Sequence, residues 1–546
     1  MKIERRIWLC ILFLAIINIP YSIVVYNHIG EDAFITFRYA ENFINGLGLV
    51  YNPGERVEGY SNFSWLMLLA FFSSMGFSIL TVSKLLAAVS NSMLIIVCAL
   101  CTKSLVSLDK DKAGSYSPVF FLFPGIFVLL NPMLHYHADR GLETCFYSLL
   151  LLTAVWLFID KRYILAGLGF AGVALTRPEG IFYSFLPTVF ILWSIIQERG
   201  RKKSVQIAPL VSFLVPLCII FGIFLLWRRL YFGYWFPNTV YAKVNKLNFY
   251  YNPSIALLLK FIVSWSFIPV FAIAGAVYLV LKEKHYEIRR SLLFLLFMTG
   301  GILVYTLGIG YILAAPFRHY APAIPLVIVL LSFLLVRILP YLKVRTSRGA
   351  VFVIMVVFVG MNFYTCNNGD LPRSRLHVRT FDFLTYLNFA ERWEWYLHPP
   401  IWLASEAGRW VHDNIPKEAL LAADQMGQFG YYSGHRIIDT LGLMDEGIAH
   451  YGYSTDLLLR RNPDYIVWFG MDGEPFLPHF KASVQDPVFA KNYRLFYILR
   501  ARNELDKTEY LVYAKDTLLT MEERVGLPHI LYLGVDKQEF IGWWRI

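Results

Sequence analysis

Charge is what this chain has least of. Only 16% of its 546 residues are Asp, Glu, Lys or Arg, whereas soluble domains carry about 25%. Hydrophobic residues make up 57% and aromatic ones 17%, and mean hydropathy is +0.50. Those proportions exclude an ordinary soluble domain and point to an integral membrane protein with several spans. Cysteine is scarce too. All six (Cys10, Cys98, Cys101, Cys145, Cys218, Cys366) lie in or at the ends of apolar runs, and the long polar C-terminal region has none. Their spacing suits no metal and argues against a disulfide framework, leaving them as small packing residues. A nucleotide-binding signature is also missing. The glycines around Gly427 and Gly430 lack the strand–GxGxxG–helix context that would give them that meaning. There is no internal repeat and no low-complexity tract. The net charge of +11 is no nucleic-acid footprint, because the basic residues cluster between apolar runs as cytoplasmic loops do.

What is present is a succession of apolar runs: 7–25, 80–102, 117–134, 142–159, 163–177, 181–196, 206–229, 255–281, 291–313, 318–340 and 349–366. We read them as about eleven transmembrane helices. A further run, 62–77, is only about 16 residues, short for a span. The positive-inside rule arbitrates. With 62–77 lying flat on the outer surface, the inner segments hold Lys2/Arg5/Arg6, Lys103/Lys110/Lys112, Lys161/Arg162, Arg199/Arg201/Lys202/Lys203, Lys282/Lys284/Arg289/Arg290 and Lys343/Arg345/Arg348. Counting it as a span would turn nearly all of them outward. The N-terminus is therefore expected in the cytoplasm. The opening MKIERRIWLCILFLAIINIPYS has the basic start of a signal peptide but no A-x-A-like cleavage site, so it reads as an uncleaved first helix.

Composition changes near residue 367. A transmembrane domain over 1–366, with its first outer loop at 26–79, gives way to a soluble extracytoplasmic region over 367–546. There IWLASEAGRWVHDNI has helical periodicity, and ALLAAD, RIIDTLGL, NPDYIVWFG, YRLFYILRA and EYLVYAK read as strands, together an α/β or α+β domain.

In this orientation the unusual residues gather on the outer side. Glu31 and Asp32 follow the first span directly, and an ionisable pair at a membrane boundary is costly to keep without a use. Arg38, Tyr39, Glu55 and Glu58 share their loop. His135, His137, Asp139, Arg140 and Glu143 fill the second outer loop, Arg177 and Glu179 the third, Asn238, Tyr241 and Lys243 the fourth, and Arg318, His319 and Tyr320 the fifth. Each loop has an ordinary explanation: a carboxylate can cap a helix, Arg177 before Pro178 can snorkel, and the i, i+2 histidines can contact headgroups as readily as a metal. Taken together, they imply a polar cavity opening outward. Lys243 and Arg318 suit an anion such as phosphate.

Such a cavity suits reaction between a lipid-borne substrate and an external partner. For a sugar on a polyprenyl phosphate, a carboxylate must take the acceptor's proton while cations stabilise the departing phosphate. Asp32 or Glu31 could be that base. Two rivals use the same parts: a flippase or transporter for a lipid-linked sugar, which matched inverted repeats would favour, and a ligase moving a larger lipid-linked glycan.

The segments EDAFITFRYAENFINGLGLVYNPGERVEGYSNFSW, RGLETCFYSLLLL, LTRPEG, FGYWFPNTVYAK, RHYAPAIP, AADQMGQFGYYSGHRIIDTLGLMD and NPDYIV make the chain resemble a GT-C-type membrane glycosyltransferase. It is most similar to the bacterial group containing the mycobacterial terminal arabinofuranosyltransferase. That resemblance implies a multi-pass protein of the bacterial plasma membrane with its soluble domain outside. It implies a single sugar, arabinofuranose by analogy, moved from a polyprenyl-phosphate donor to a glycan or protein acceptor with inversion or retention. The family's acidic pair, usually Asp-Asp, is Glu31-Asp32 here. Asp32 is then the base, and Glu31 a helper or a contact to a divalent cation shared with Asp32. Arg38, Tyr39, Glu58, His137, Glu143, Arg177, Glu179, Asn238, Lys243, Arg318 and His319 are the expected substrate-binding residues, and the soluble domain the acceptor-binding part.

Overall fold

The structure is a computed structural model. It describes residues 5–24, 29–109, 118–200, 206–244, 268–309, 318–338, 403–501 and 508–533, with a few positions between 255 and 267. It is mostly helical, with a strand-containing C-terminal domain. The expected span at 349–366 lies outside the described residues.

The apolar runs fold into helices α1 (Arg5–Val24), α2 (Ala33–Ile44), α3 (Phe63–Ser74), α4 (Ile79–Ser107), α5 (Phe123–Leu129), α6 (Pro132–Asp139), α7 (Thr144–Ile159), α8 (Tyr163–Thr176), α9 (Gly180–Gly200), α10 (Ala208–Phe232) and α11 (Asn238–Val244), followed by Ile268–Lys282, Tyr286–Ile309 and Ala323–Ile338. Among the described residues five helices are long and apolar enough to cross a membrane: α1, α4, α9, α10 and Tyr286–Ile309. The run at 117–134 differs from expectation. It is not one rod but a 3₁₀ turn and α5, bent by 56° into α6, and the Asn131 side chain caps α6 by accepting from the Leu134 amide at 3.1 Å. The 12 residues of α3 reach about 18 Å, too little to span.

α4 is the central post, touching α1, α3, α5, α6, α7 and Ala323–Ile338. α10 is the opposite case: Ile223, Leu226 and Leu230 are left exposed, as a lipid-facing helix requires. Lipid tails are as apolar as leucine, so close approach rather than hydrophobicity must hold such helices together. Gly167 of α8 shows how: a Cβ there would stand 2.3 Å from the Phe213 carbonyl oxygen of α10. α7 and α8 have only 16 and 14 residues, about 24 and 21 Å. Short helices recess their ends, and Glu143 and Arg177 stand at those ends.

In the C-terminal domain, Leu403–Asn414 is helical and the strands are β1 (Leu421–Ala423), β2 (Ile437–Asp439), β3 (Tyr465–Met471), β4 (Glu474–Pro475), β5 (Tyr493–Ala501), β6 (Thr508–Lys515) and β7 (His529–Leu533). The sheet order is β2-β1-β3-β6-β5-β7, with β4 on β3. β1 pairs in parallel with β2 and β3 (Leu421 opposite Ile437 and Tyr465), β6 is antiparallel to β3 and β5, and β7 is parallel to β5. Strand alternation sorts the side chains. Ala422, Ile466, Trp468, Leu511 and Tyr513 face a core closed by Phe480 and Phe489. Leu421, Ala423, Val467, Phe469 and Val512 face the other way, into one continuous core with Phe34, Phe37, Tyr39, Trp65 and Leu66 of the membrane part. The domain is thus packed onto the first loop, not tethered beside it.

Asp424 follows β1, buried, accepting from the Phe469 amide at 3.0 Å. Burial pushes its carboxyl up to about 8, with Asp439 adding to the effect and the amide opposing it. The folded state therefore holds a proton that the unfolded state has released. Stability contributed by protonated Asp424 is full below about pH 4 and lost as pH rises through about 8. Asp424→Asn, isosteric with the neutral acid, should unfold at higher temperature than the parent at pH 9, with the gap closing as pH falls to about 4, read by thermal unfolding in detergent.

Candidate functional site

The site is built where five loops meet beneath the C-terminal domain. Gly30 donates to the Arg140 carbonyl at 2.9 Å, and a turn closed by the Ala33 and Phe34 amides on Gly30 and Glu31 starts α2. Asp32 takes the N-cap position, yet its side chain makes no capping bond. It is half exposed instead, with Oδ2 3.6 Å from Arg318 Nη1. The capping explanation for this carboxylate is removed.

Arg318 is held from behind. Its Nη2 donates to Glu143 Oε1 at 2.6 Å, and Arg177 Nη1 donates to the same oxygen at 3.1 Å. Asn62 Nδ2 donates to Oε2 at 3.0 Å and exchanges contacts with Thr36. Burial alone would raise the Glu143 carboxyl, but Arg318 and Arg177 outweigh it, with Asn62 assisting, and hold it down at about 2. Arg177 Nε also donates to Glu179 Oε1 at 2.5 Å, which keeps Glu179 well below the usual carboxylate range despite its burial. Arg177 Nη2 lies 3.2 Å from His319 Nδ1. The same ring nitrogen lies 3.5 Å from Glu179 Oε1, so His319 joins the Arg177–Glu179 pair. Burial lowers the His319 pKa, Glu179 opposing and Arg177 reinforcing.

Lys243, in the last turn of α11, completes the group. Its side chain reaches solvent but is crowded by protein. Loss of solvation pulls its pKa down, Asp32 opposes this, and Arg318 and Arg177 add to it. The recess thus has one half-exposed carboxylate, Asp32, beside cations whose backing carboxylates, Glu143 and Glu179, are buried and already engaged. Asp32, Glu143, Arg177, Glu179, Lys243, Arg318 and His319 are the expected residues that the fold brings together.

The others are placed elsewhere. Glu31 diverges from Asp32 and accepts from the Gly427 amide at 2.7 Å. A Cβ on Gly427 would lie 2.2 Å from that carboxylate, so only glycine admits the approach. Arg38 donates to the carbonyls of Tyr51, Gly430 and His435 at 3.0, 2.5 and 2.6 Å and lies over the Tyr51 ring. Tyr39 is fully buried and donates to the Val57 carbonyl at 2.6 Å. Glu58 pairs with Arg228 at 2.8 Å. Asn238 accepts nothing from the recess: its Nδ2 donates to the Gly442 and Leu443 carbonyls at 2.9 and 3.0 Å. Glu31, Arg38, Tyr39 and Asn238 bond the C-terminal domain and form its joint with the membrane part, while Glu58 ties the first loop to α10. His137 is buried in α6, edge-on to Tyr136.

The joint depends most on Arg38, because Arg38→Met leaves three buried carbonyls without a charged donor. We expect a loss on the order of 3 kcal/mol, seen as a lower unfolding temperature and earlier tryptic release of the C-terminal domain.

The two carboxylates of the pair are engaged separately. Glu31 is committed to the joint, and the groups nearest Asp32 are positively charged. Among the described residues no cluster of three or more His, Cys, Asp or Glu could hold a metal. Charge alone, as read along the sequence, misses Asn62, which lies in the loop segment, and the 426–437 stretch, whose backbone rather than side chains makes the contacts.

The fold is similar to that of solved structures of ArnT and of an archaeal oligosaccharyltransferase. Among solved structures, ArnT from Cupriavidus metallidurans bound to undecaprenyl phosphate matches with a TM-score of 0.59 at 12% identity, covering 92% of this chain and 97% of that one. Its apo form matches at 0.52 and 14%, with 93% and 97% covered. The apo oligosaccharyltransferase of Archaeoglobus fulgidus matches at 0.53 and 11%, with 84% and 69% covered. At such identities the likeness is one of fold. Residues 391–513 match a family profile described as Domain of unknown function (DUF8728). No curated protein sequence matches the chain.

Proposed function

We propose that the chain is a glycosyltransferase that moves one sugar from a polyprenyl-phosphate donor to an acceptor hydroxyl, with Asp32 as general base. The observation that carries this reading is Asp32, uncapped and half exposed, with its carboxylate 3.6 Å from Arg318 Nη1. The acceptor oxygen attacks the anomeric carbon, its proton passes to Asp32, and the carbon–oxygen bond to phosphate breaks. The electron pair leaves with the polyprenyl phosphate, whose charge Arg318 and Lys243 stabilise. An arriving phosphate would favour the charged form of Lys243. Among the described residues Glu143 and Glu179 are paired with arginines, which leaves Asp32 to take the proton in a single displacement with inversion.

Arabinofuranose is the donor sugar suggested by the sequence resemblance, and the likeness to an undecaprenyl-phosphate-bound fold supports a lipid-linked donor. We place the N-terminus in the cytoplasm and the C-terminal domain outside, from loop charge. The test is purified protein incubated with a panel of polyprenyl-phosphate sugars and a cell-envelope extract. One donor should be consumed, releasing polyprenyl phosphate and adding one sugar mass to an acceptor as the inverted anomer. A donor that crosses vesicles intact, its sugar never transferred, overturns the reading in favour of a flippase.

A further inference from the structure

A second cavity lies apart from the recess. Between residues 55–57 of the first loop and the C-terminal domain runs a cleft of about 480 Å³, within the size range of small-molecule and cofactor sites. Its charged lining is balanced: Arg56, Arg436 and Arg461 against Glu55, Asp445 and Glu446. The charges are also paired off. Arg436 Nε donates to Glu55 at 2.9 Å, Arg461 bonds Asp445, Tyr234 donates to Glu446, and Arg56 sits 4.8 Å over the Tyr231 ring. Such a surface attracts neither an anion nor a cation by net charge, but it holds oriented donors and acceptors at fixed points.

Beyond Glu446 the cleft meets an aromatic shelf. His450 lies 5.0 and 4.4 Å from the rings of Tyr234 and Tyr241, and the neighbouring Tyr451 is 90% exposed. Hydrogen-bonding groups beside the exposed Tyr451 ring match a ligand with many hydroxyls, no charge and flat C–H faces. That description is a saccharide.

The cleft also has a route to Asp32. Asn238 bridges its two walls, its amide donating to the Glu58 carbonyl at 2.9 Å and its Nδ2 lying 3.3 Å from the Asp445 carbonyl. From Asn238, α11 runs five residues to Lys243, about 7.5 Å of helix, and Lys243 interacts electrostatically with Asp32.

We infer that this cleft is the acceptor subsite and that its ligand is a neutral oligosaccharide chain, laid between first loop and C-terminal domain with its growing end directed along α11 to Asp32. The inference rests on the transferase reading above and assigns the acceptor's chemistry, a glycan rather than a protein or an acidic polymer.

The test uses the full chain in lipid nanodiscs, probed with neutral arabinan, galactan, mannan and glucan oligosaccharides, with carboxylated and sulfated oligosaccharides, and with a basic peptide. Gly447 offers a plug. The atoms nearest a Cβ there are side-chain ends of Arg461 and Asp445, so Gly447→Met should fill the cleft by pushing aside the Arg461 guanidinium rather than backbone. Tyr451→Ala removes the exposed ring and, at that exposure, leaves folding intact. A neutral oligosaccharide should bind the parent and Asp32→Asn equally, and at least tenfold more weakly to each of the other two, while undecaprenyl phosphate binds all four alike. Binding of only charged probes or peptide, binding of none, or unchanged glycan affinity in Tyr451→Ala overturns the inference. Failure of the transferase reading looks different: Asp32→Asn would keep full turnover whatever the glycan affinities.

Discussion

Asp32→Asn should lower sugar transfer by about 100- to 10,000-fold, the usual contribution of a positioned general base. The Asp32 side chain makes no capping bond and is half exposed, so an isosteric amide should leave α2 and the fold intact. The split between kinetic constants is the sharper sign. Removing a negative charge 3.6 Å from Arg318 should leave donor KM unchanged or lower it while kcat collapses. A variant retaining full turnover would remove Asp32 from the chemistry, and a raised donor KM with normal kcat would make it a binding residue.

Arg318→Met should be nearly as damaging for a different reason. The guanidinium spans Asp32 and Glu143, so it can meet a leaving phosphate while orienting the base. Loss of one fixed donor to a developing charge typically costs about 100- to 1,000-fold in kcat, and donor KM should rise too because ground-state phosphate binding is also lost. Arg318→Lys should recover only part, since an ammonium keeps the charge but not the fork that reaches both carboxylates. Glu143 retains Arg177 and Asn62, so the protein should remain folded, as size-exclusion profiles and unfolding temperature would check. Equal activity of the Lys and Met variants would show that the charge plays no part.

Much of this arrangement is legible along the chain. Apolar runs set the helices because a bilayer demands them, and charged residues at their ends are visible as exceptions. The C-terminal helix and strands announce themselves by period, as NPDYIVWFG does for β3. What the residue types could not separate is Arg38 from Arg318. Both are arginines in outer loops beside aromatic residues. One spends its donors on carbonyls nearly four hundred residues away, and the other points at Asp32. The Glu in place of the family's first Asp has a comparable explanation: Glu31 reaches the Gly427 amide, and a side chain one methylene shorter would have to draw the two segments closer, where the Gly427 backbone is already in contact.

By itself the sequence determined the class of molecule, most of the helices and the gathering of charged residues at their ends. Those properties follow from local composition and from the cost of placing charge near lipid. The tertiary structure alone decided which charges are already neutralised. Glu143 and Glu179 hold arginines, Arg38 and Asn238 build the joint, and Asp32 with Arg318 and Lys243 faces the recess. Pairing between residues hundreds of positions apart depends on how short helices and a docked sheet bring their ends together, and no local pattern encodes that distance.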